Sequence, residues 1–222
     1  MHFLITAGPT REWLDPVRFL SNPSSGKMGY ALAQAARETG ATVTLVSGPV
    51  TLAAPRGVEL VRVETARKMA REVFRRAKRT DIIILSAAVA DWTPAIRARQ
   101  KIKKSEIRNQ KSEFVLRLKP TVDIAATIGK SLRPSQVLVG FAAETQHVEA
   151  NAREKLRRKN FDLIVANDVS RPGVGFGSDR NEIIIIGRDG IVERPRRASK
   201  LALARRILKR ACAMRAAKLE RS

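Results

Sequence analysis

The residues of this 222-residue chain that could do chemistry are mostly amides and lysines, with one well-placed aspartate. His2 and His147 are its two histidines and Cys212 its single cysteine, so a protein zinc site or a serine-type triad is disfavoured. What the sequence does offer is a way to neutralise and align anions. The stretch "SNPSSGKMG" (residues 21 to 29) brings hydroxyls, backbone N–H groups and the positive end of a predicted helix, a combination that suits an anion. It lacks both G-x-G-x-x-G and G-x-x-x-x-G-K-[ST]. The plainer reading is a helix N-cap at Ser24 or Ser25 with Asn22 in a turn, and on the residues alone both readings stand.

Lysines form the second set. "KIKK" carries Lys101, Lys103 and Lys104 in a polar segment, residues 93 to 111, long enough to be a flap; taken alone, such a loop is a solvated basic surface. The predicted helix from 147 to 160 is more informative. At 100° per residue, Val148, Ala152, Lys155 and Lys159 fall within roughly 60° of one another, with Arg153, Glu154 and Arg157 opposite. Two lysines therefore share the inward stripe. They either snorkel from a core edge or border a cleft that holds an anion. Asp91 directly follows the apolar run "DIIILSAAVA", where an aspartate caps a turn or points into a ligand crevice. Phe141 in "GFAAET" is a core residue or a wall for a ring.

These residues need a scaffold, and strands and helices alternate along the chain. "HFLITA", "TVTLVSGP" and "VELVRVE" read as strands, and "YALAQAARETG" as a helix stopped by glycine. "TARKMAREVFRRAKRT" has an apolar stripe at Ala66, Met69, Ala70, Val73 and Ala77. "DIIILSAAVA" is the continuous apolar run of a parallel strand covered on both faces. "EFVLRLKP" reads as a strand and "DIAATIGKSL" as a short helix, and "QVLVGFAA", "VEANAREKLRRKN" and "DLIVAND" as another β-α-β unit. "NEIIIIGRDGIVERP" predicts a hairpin turning at Asp189-Gly190, and a long helix closes the chain from about Ser199. The expected fold is α/β: a mostly parallel, Rossmann-like sheet with helices on both faces, an antiparallel hairpin and a flap, all in one domain spanning residues 1 to 222. Ligands in that architecture bind beyond the carboxyl ends of the strands. "GVGFG" (residues 173 to 177) precedes a strand and reads as turn geometry.

The net charge of +22 permits nucleic-acid binding, but it largely decorates the solvent faces of predicted helices and speaks to solubility more than to fold. No apolar run reaches the ~18 residues of a membrane span, and the N-terminus lacks signal-peptide features. A single cysteine suits a reducing compartment, so the expected location is cytoplasmic.

"ITAGPTREWLDPVRFLSNPSSGKMGYALA", followed in order by "AAVADW", "KIKK", "GFAAET", "ANDV" and "GFGSD", closely resembles the bacterial phosphopantothenate–cysteine ligase family of coenzyme A biosynthesis, up to about residue 195. The resemblance implies a homodimer. It also implies that a nucleotide, CTP in most bacterial members with ATP possible, activates the carboxylate of 4'-phosphopantothenate as an acyl-nucleotidylate with Mg²⁺ accompanying the nucleotide. L-cysteine then displaces CMP. It assigns the nucleotide to Leu85, Ser86, Ala87, Asp91, Lys101, Val122, Asp123, Ile124, Ala125, Phe141, Lys155 and Lys159. Substrate falls to Arg18, Asn22 and Ala88, and catalysis to Asn22 and Lys101, with no metal ligand from the protein. Such chemistry suits these residues: a carboxylate with a pKa near 4 is already ionised, so charge neutralisation and alignment are what it requires.

Trp92 stands where many members have a smaller aromatic, and Val122 where many have proline. Many bacterial members are fused behind a flavin-dependent decarboxylase, whereas this chain starts at the ligase strand, so a stand-alone ligase is expected. The rival expectations are a basic nucleic-acid-binding module, disfavoured by 5% aromatics and the lack of a recognised motif, and an NAD(P)-binding oxidoreductase, disfavoured by the missing glycine fingerprint.

Overall fold

The structure is a computed structural model that describes residues 1–103, 114–170 and 177–221. Its first half runs β1 (His2–Ala7), β2 (Arg11–Trp13), β3 (Phe19–Ser21), α1 (Lys27–Glu38), β4 (Thr42–Ser47), β5 (Glu59–Arg62), α2 (Ala66–Ala77) and β6 (Ile82–Leu85). Then follow β7 (Trp92–Pro94), β8 (Leu118–Pro120), α3 (Ile124–Lys130), β9 (Val137–Glu144), α4 (Val148–Arg158) and β10 (Leu163–Asp168). The chain ends with β11 (Arg180–Asn181), β12 (Ile184–Gly187), β13 (Val192–Glu193), β14 (Ala198–Ser199) and α5 (Lys200–Leu219).

Eight strands form the main sheet in the order β13-β12-β10-β9-β6-β1-β4-β5. From β5 to β10 every pairing is parallel, and β12 and β13 add an antiparallel edge. This is the expected Rossmann-like arrangement. The strand order reverses between β1 and β6, because the chain builds outward from β1 through β4 to β5 and then crosses back. That reversal opens a crevice at the strands' carboxyl ends.

Alternation within the strands splits the core in two. Phe3, Ile5, Ile82 and Ile84 face α1 and α5, together with Leu32, Leu203 and Ile207. Leu4, Ile83, Leu138 and Ile164 face α2, α3 and α4, together with Met69, Val73, Ile128 and Leu156. Phe3, Leu4 and Ile5 are fully buried. Each such side chain contributes roughly 1.5–3 kcal/mol relative to exposure, so β1 is anchored from both sides.

Local signals set the helix ends. Thr65 caps α2 by accepting from the Lys68 N–H at 3.2 Å, and Ser199 caps α5 by accepting from the Ala202 N–H at 3.2 Å. At the hairpin between β12 and β13, Asp189 accepts from the Ile191 N–H at 3.1 Å and Gly190 takes φ 84°, the left-handed geometry that glycine permits without strain.

Four expectations need correction. α1 starts at a glycine cap, Gly26, with no side-chain capping bond, so neither Ser24 nor Ser25 is the N-cap. The strand expected over "EFVLRLKP" is confined to β8, which pairs with β7 outside the main sheet, since only three residues there find a partner edge. Residues 93 and 94, expected within the flap, belong to β7 for the same reason. α4 stops at Arg158, because Asn160 turns left-handed at φ 57° and donates its side-chain amide to the Gly129 carbonyl. Lys104 and most of "GVGFG" lie outside the described residues.

Candidate functional site

A cavity of about 740 Å³ opens at the carboxyl edge of the sheet, beside the switch between β1 and β6. Its floor is Thr6 of β1 and the chain leaving β6, Leu85 through Val89. One wall is the segment before α1, from Asn22 and Ser24 to Gly29. The opposite wall is Thr121 to Ala125, with Lys155 and Lys159, and the aromatic rings are Phe141, Phe161 and Trp92.

The floor is held by short side-chain-to-backbone bonds. Ser86 donates its hydroxyl to the Thr6 carbonyl at 2.6 Å, and the Thr6 hydroxyl accepts from the Ala87 N–H at 3.2 Å. The Thr10 hydroxyl accepts from the Ala90 N–H at 3.0 Å, and the Thr121 hydroxyl donates to the Ala90 carbonyl at 2.6 Å. Thus the segment 85 to 91, irregular in sequence, is fastened on both sides. Asn22 donates its amide to the Ala88 and Val89 carbonyls, each at 3.3 Å, which ties the loop before α1 to the cavity floor.

α1 meets the floor through a glycine. A Cβ added at Gly29 would lie 2.4 Å from the Ala7 Cβ and 2.8 Å from the Ser86 Oγ. Only a bare backbone lets the first turn of α1 approach this closely.

The two inward lysines, Lys155 within α4 and Lys159 at its carboxyl cap, border the cavity, and both hold carboxylates. The Lys155 ammonium lies 2.5 Å from Glu144 and that of Lys159 lies 3.0 Å from Asp123. Asp123 also caps α3, accepting from the Ala126 N–H at 3.0 Å. Burial on its own would raise the Asp123 carboxyl, but the Ala126 N–H and the Lys159 ammonium outweigh it and hold that carboxyl below its ordinary value.

Thirteen of the fifteen expected site residues therefore share this hollow: Asn22, Leu85, Ser86, Ala87, Ala88 and Asp91 on one side, and Val122, Asp123, Ile124, Ala125, Phe141, Lys155 and Lys159 on the other. Arg18 and Lys101 do not line it. Arg18 is occupied elsewhere: its guanidinium grips the buried Asp15 at 2.5 Å and donates to the Ile102 carbonyl at 2.7 Å. Asp15 also accepts from the N–H groups of Val17, Arg18 and Ile102. Burial would raise the Asp15 carboxyl, yet Arg18 and these three N–H groups hold it well below the usual carboxylate range. The result is a clasp that roots the segment carrying Lys101 on the β2–β3 arm.

Among the lining residues missed as site candidates are two lysines, Lys27 and Lys200. Lys27 opens α1, pairs with Asp179 at 2.6 Å and donates to the Gly177 carbonyl at 3.0 Å. Lys200 opens α5 and is only 6% exposed. A signal for it was present in the sequence: it shares one helical stripe with Leu203, Ala204, Ile207, Leu208 and Ala211, the same pattern that singles out Lys155.

Among the described residues no three His, Cys, Asp or Glu side chains group as a metal site, and no helix is long and apolar enough to cross a membrane.

Comparison with known proteins agrees with this fold. The chain is 48% identical over all 222 of its residues to the coenzyme A biosynthesis bifunctional protein CoaBC of Bacillus subtilis, covering 53% of that protein. Against the Escherichia coli K12 protein of the same name it is 49% identical over 190 residues, 86% of this chain and 46% of the relative. The chain thus spans about half the length of these curated relatives. A crystal structure of the C-terminal domain of a CoaBC superposes with a TM-score of 0.81 at 42% identity, covering 100% of this chain and 96% of that one. A mutant Cab2 in complex with phosphopantothenate-cysteine shares the fold, with a TM-score of 0.79 at 17% identity over 99% of this chain and 88% of that one. Residues 1–214 match the model of the DNA/pantothenate metabolism flavoprotein C-terminal domain, and the chain belongs to that family.

Proposed function

We propose that the chain is a phosphopantothenate–cysteine ligase that activates 4'-phosphopantothenate with CTP and joins it to L-cysteine. The observation that carries this reading is the single cavity at the sheet's switch point, where Asn22, Asp91, Lys155, Lys159 and the fastened 85–88 floor converge.

In this reading the acid needs no base, being ionised at neutral pH. One of its carboxylate oxygens bonds to the α-phosphorus as pyrophosphate leaves. The amine of cysteine then attacks the acyl carbon, CMP departs and the amine loses a proton. Lys155 and Lys159 bind the nucleotide at the cavity's edge, and Phe141 walls its ring or sugar. Asn22 faces the acyl group, and its amide shifts from the Ala88 and Val89 carbonyls to the oxygen that gains charge. Lys101 joins when the bound nucleotide draws its clasped segment across the cavity, and Arg18 holds that segment's root. Mg²⁺ arrives on the nucleotide's phosphates, because it commonly keeps much of its water and takes few protein ligands. It would supply charge neutralisation there.

The same reading makes the protein a cytoplasmic homodimer. Its arms expose the apolar side chains of Trp92 at 54%, Phe114 at 47%, Val115 at 77% and Leu118 at 42%, the kind of surface that serves association. A second copy covers these arms.

The test is product formation by purified protein. Pyrophosphate release should require nucleotide, Mg²⁺ and 4'-phosphopantothenate together, and amide should form only once cysteine is added. A well-folded preparation that shows no such turnover with either CTP or ATP would overturn the proposal.

A further inference from the structure

Asp15 takes no part in the chemistry proposed above, yet it is fully buried and its carboxylate collects five donors. Its two oxygens serve different ends. Oδ1 accepts from the Val17 and Arg18 N–H groups, each at 2.8 Å, and so shapes the turn between β2 and β3. Oδ2 accepts from the Arg18 guanidinium at 2.5 Å and from the Ile102 N–H at 3.2 Å. The same guanidinium donates to the Ile102 carbonyl at 2.7 Å. Both backbone groups of the residue after Lys101 are thus held, as a neighbouring strand would hold them. The segment is fixed again upstream, where the Ala98 N–H donates to the Leu14 carbonyl at 2.8 Å and the Arg97 guanidinium lies 5.7 Å from the Trp13 ring centre.

The β2–β3 hairpin that makes these contacts is braced within itself and rooted in the cavity floor. Trp13 and Phe19 meet edge to face with ring centres 5.1 Å apart, and the Arg11 guanidinium lies 4.5 Å from the Phe19 ring centre. At the hairpin's base the buried Thr10 donates its N–H to the Ala88 carbonyl at 3.3 Å, and its own carbonyl accepts the Ser21 hydroxyl at 2.8 Å. Buried Glu12 accepts from the Ala66 N–H at 2.7 Å, which ties the hairpin to the start of α2. β3 then runs directly into Asn22. One small element therefore carries both residues to which the proposed function gives catalysis. Asn22 follows its last strand, and the backbone beside Lys101 is held by its turn.

We infer that Asp15 is a positioning residue of the ligase reaction: by holding the Ile102 peptide on the β2–β3 turn it fixes where Lys101 stands relative to Asn22 and the cavity floor. This rests on the ligase reading, with Lys101 acting in the first half-reaction, and adds a residue that does not itself line the cavity. A carboxylate suits the task, because one oxygen accepts from the turn while the other accepts from Arg18 and Ile102 together. An asparagine in its place keeps a carbonyl oxygen for the Val17 and Arg18 N–H groups but turns an NH₂ donor toward Ile102 and the guanidinium. The turn then survives and the grip is lost. The grip matters because a displacement of about 1 Å at a reacting group can cost on the order of 10²-fold in rate.

The experiment compares wild type, Asp15→Asn, Lys101→Gln and the double variant of the full chain. Pyrophosphate release from CTP with 4'-phosphopantothenate and Mg²⁺ is timed, and CMP is titrated calorimetrically as a check that the cavity is intact. Asp15→Asn should lower kcat for pyrophosphate release by roughly 10–10²-fold with CMP affinity unchanged, and the Ile102 amide should exchange with solvent faster than in wild type. In the Lys101→Gln background the same change should cost little further, because a residue that acts through Lys101 then has nothing left to place. A loss that ran instead through the released Arg18 would persist in that background. If Asp15→Asn leaves kcat or Ile102 exchange unchanged, raises kcat, or weakens CMP in step with kcat, or if the two losses multiply in the double variant, Asp15 does not act through Lys101. Should Asp15→Asn not fold, Ile102→Pro decides alone, since it deletes the N–H that Asp15 accepts without touching the buried turn. Unchanged kcat there overturns the inference, and a loss that vanishes in the Lys101→Gln background supports it. Wild-type protein that releases no pyrophosphate would instead overturn the underlying function.

Discussion

Gly29→Ala tests how the cavity is built, because one methyl group is added where α1 meets the sheet. The added Cβ would sit 2.4 Å from the Ala7 Cβ and 3.0 Å from the Ala7 Cα. Carbon atoms prefer about 3.5–4.0 Å, so α1 must retreat by roughly 1–1.5 Å at this point. Neither partner can turn aside, since Ala7 is fully buried in the central strand. Overpacking of this kind costs about 1–3 kcal/mol, and replacing glycine inside a helix returns at most about 1 kcal/mol. With the full return the net expectation is a loss of up to about 2 kcal/mol, or up to roughly 8 °C in melting temperature for a chain of this size. The shift also lifts Ser24–Gly29 from the floor and pushes Ser86, whose hydroxyl binds Thr6 at 2.6 Å, so nucleotide affinity should fall along with stability. Calorimetric melting and CTP titration measure both. A variant that melts at or above the wild-type temperature and binds CTP equally well would refute the claim that the glycine is there for close approach.

Three further predictions concern other parts of the molecule. Asn22→Asp places a carboxylate against the Ala88 and Val89 carbonyls that now accept from the amide; overall turnover should fall roughly 10²–10³-fold with the acyl-nucleotidylate accumulating, seen by quenched-flow chromatography, and unchanged turnover would sink the role. Trp92→Asp or Leu118→Asp should convert a dimer to a monomer in light scattering, and a dimer that survives both changes would move the interface elsewhere. Acid should destabilise the fold in a defined window: hydrogen bonds from Arg75 and then Arg76 hold the Glu72 carboxyl at about 2, below its unfolded value of about 4.3. A depressed carboxylate contributes its stability above the unfolded pKa and loses it as pH falls through the folded one. Urea midpoints should therefore drop between pH ~4.5 and ~2, less steeply in Glu72→Gln; equal slopes in the two proteins would remove Glu72 from the account.

The positive charge proves to be woven into the surface. α5 alone sets Arg205 against Glu38, Arg206 against Glu193, Arg215 against Asp81 and Lys218 against Asp162. The exposed pairs of Arg205 and Arg206 contribute little each, while Arg215 and Lys218 meet the half-buried Asp81 and the buried Asp162; all four place part of the excess charge away from the cavity, whose cations are lysines.

The sequence alone determined the architecture. Apolar runs such as "DIIILSAAVA" point to buried strands, although here the strand is only Ile82–Leu85 and the rest of the run is irregular, and stripes such as Ala66, Met69, Val73 point to one helix face, so period and length indicate these elements locally. The inward position of Lys155 was legible for the same reason. Tertiary structure alone decided which partners each cation meets. Lys155 and Lys159 acquire Glu144 and Asp123 from other segments, and Arg18 is claimed by Asp15 and Ile102. Lys200, far along the chain, arrives beside Lys27 because α1 and α5 pack on the same face of the sheet. Periodicity reports which way a side chain points from its own element, but the charge it meets there belongs to residues far away in the chain, brought close only by the fold.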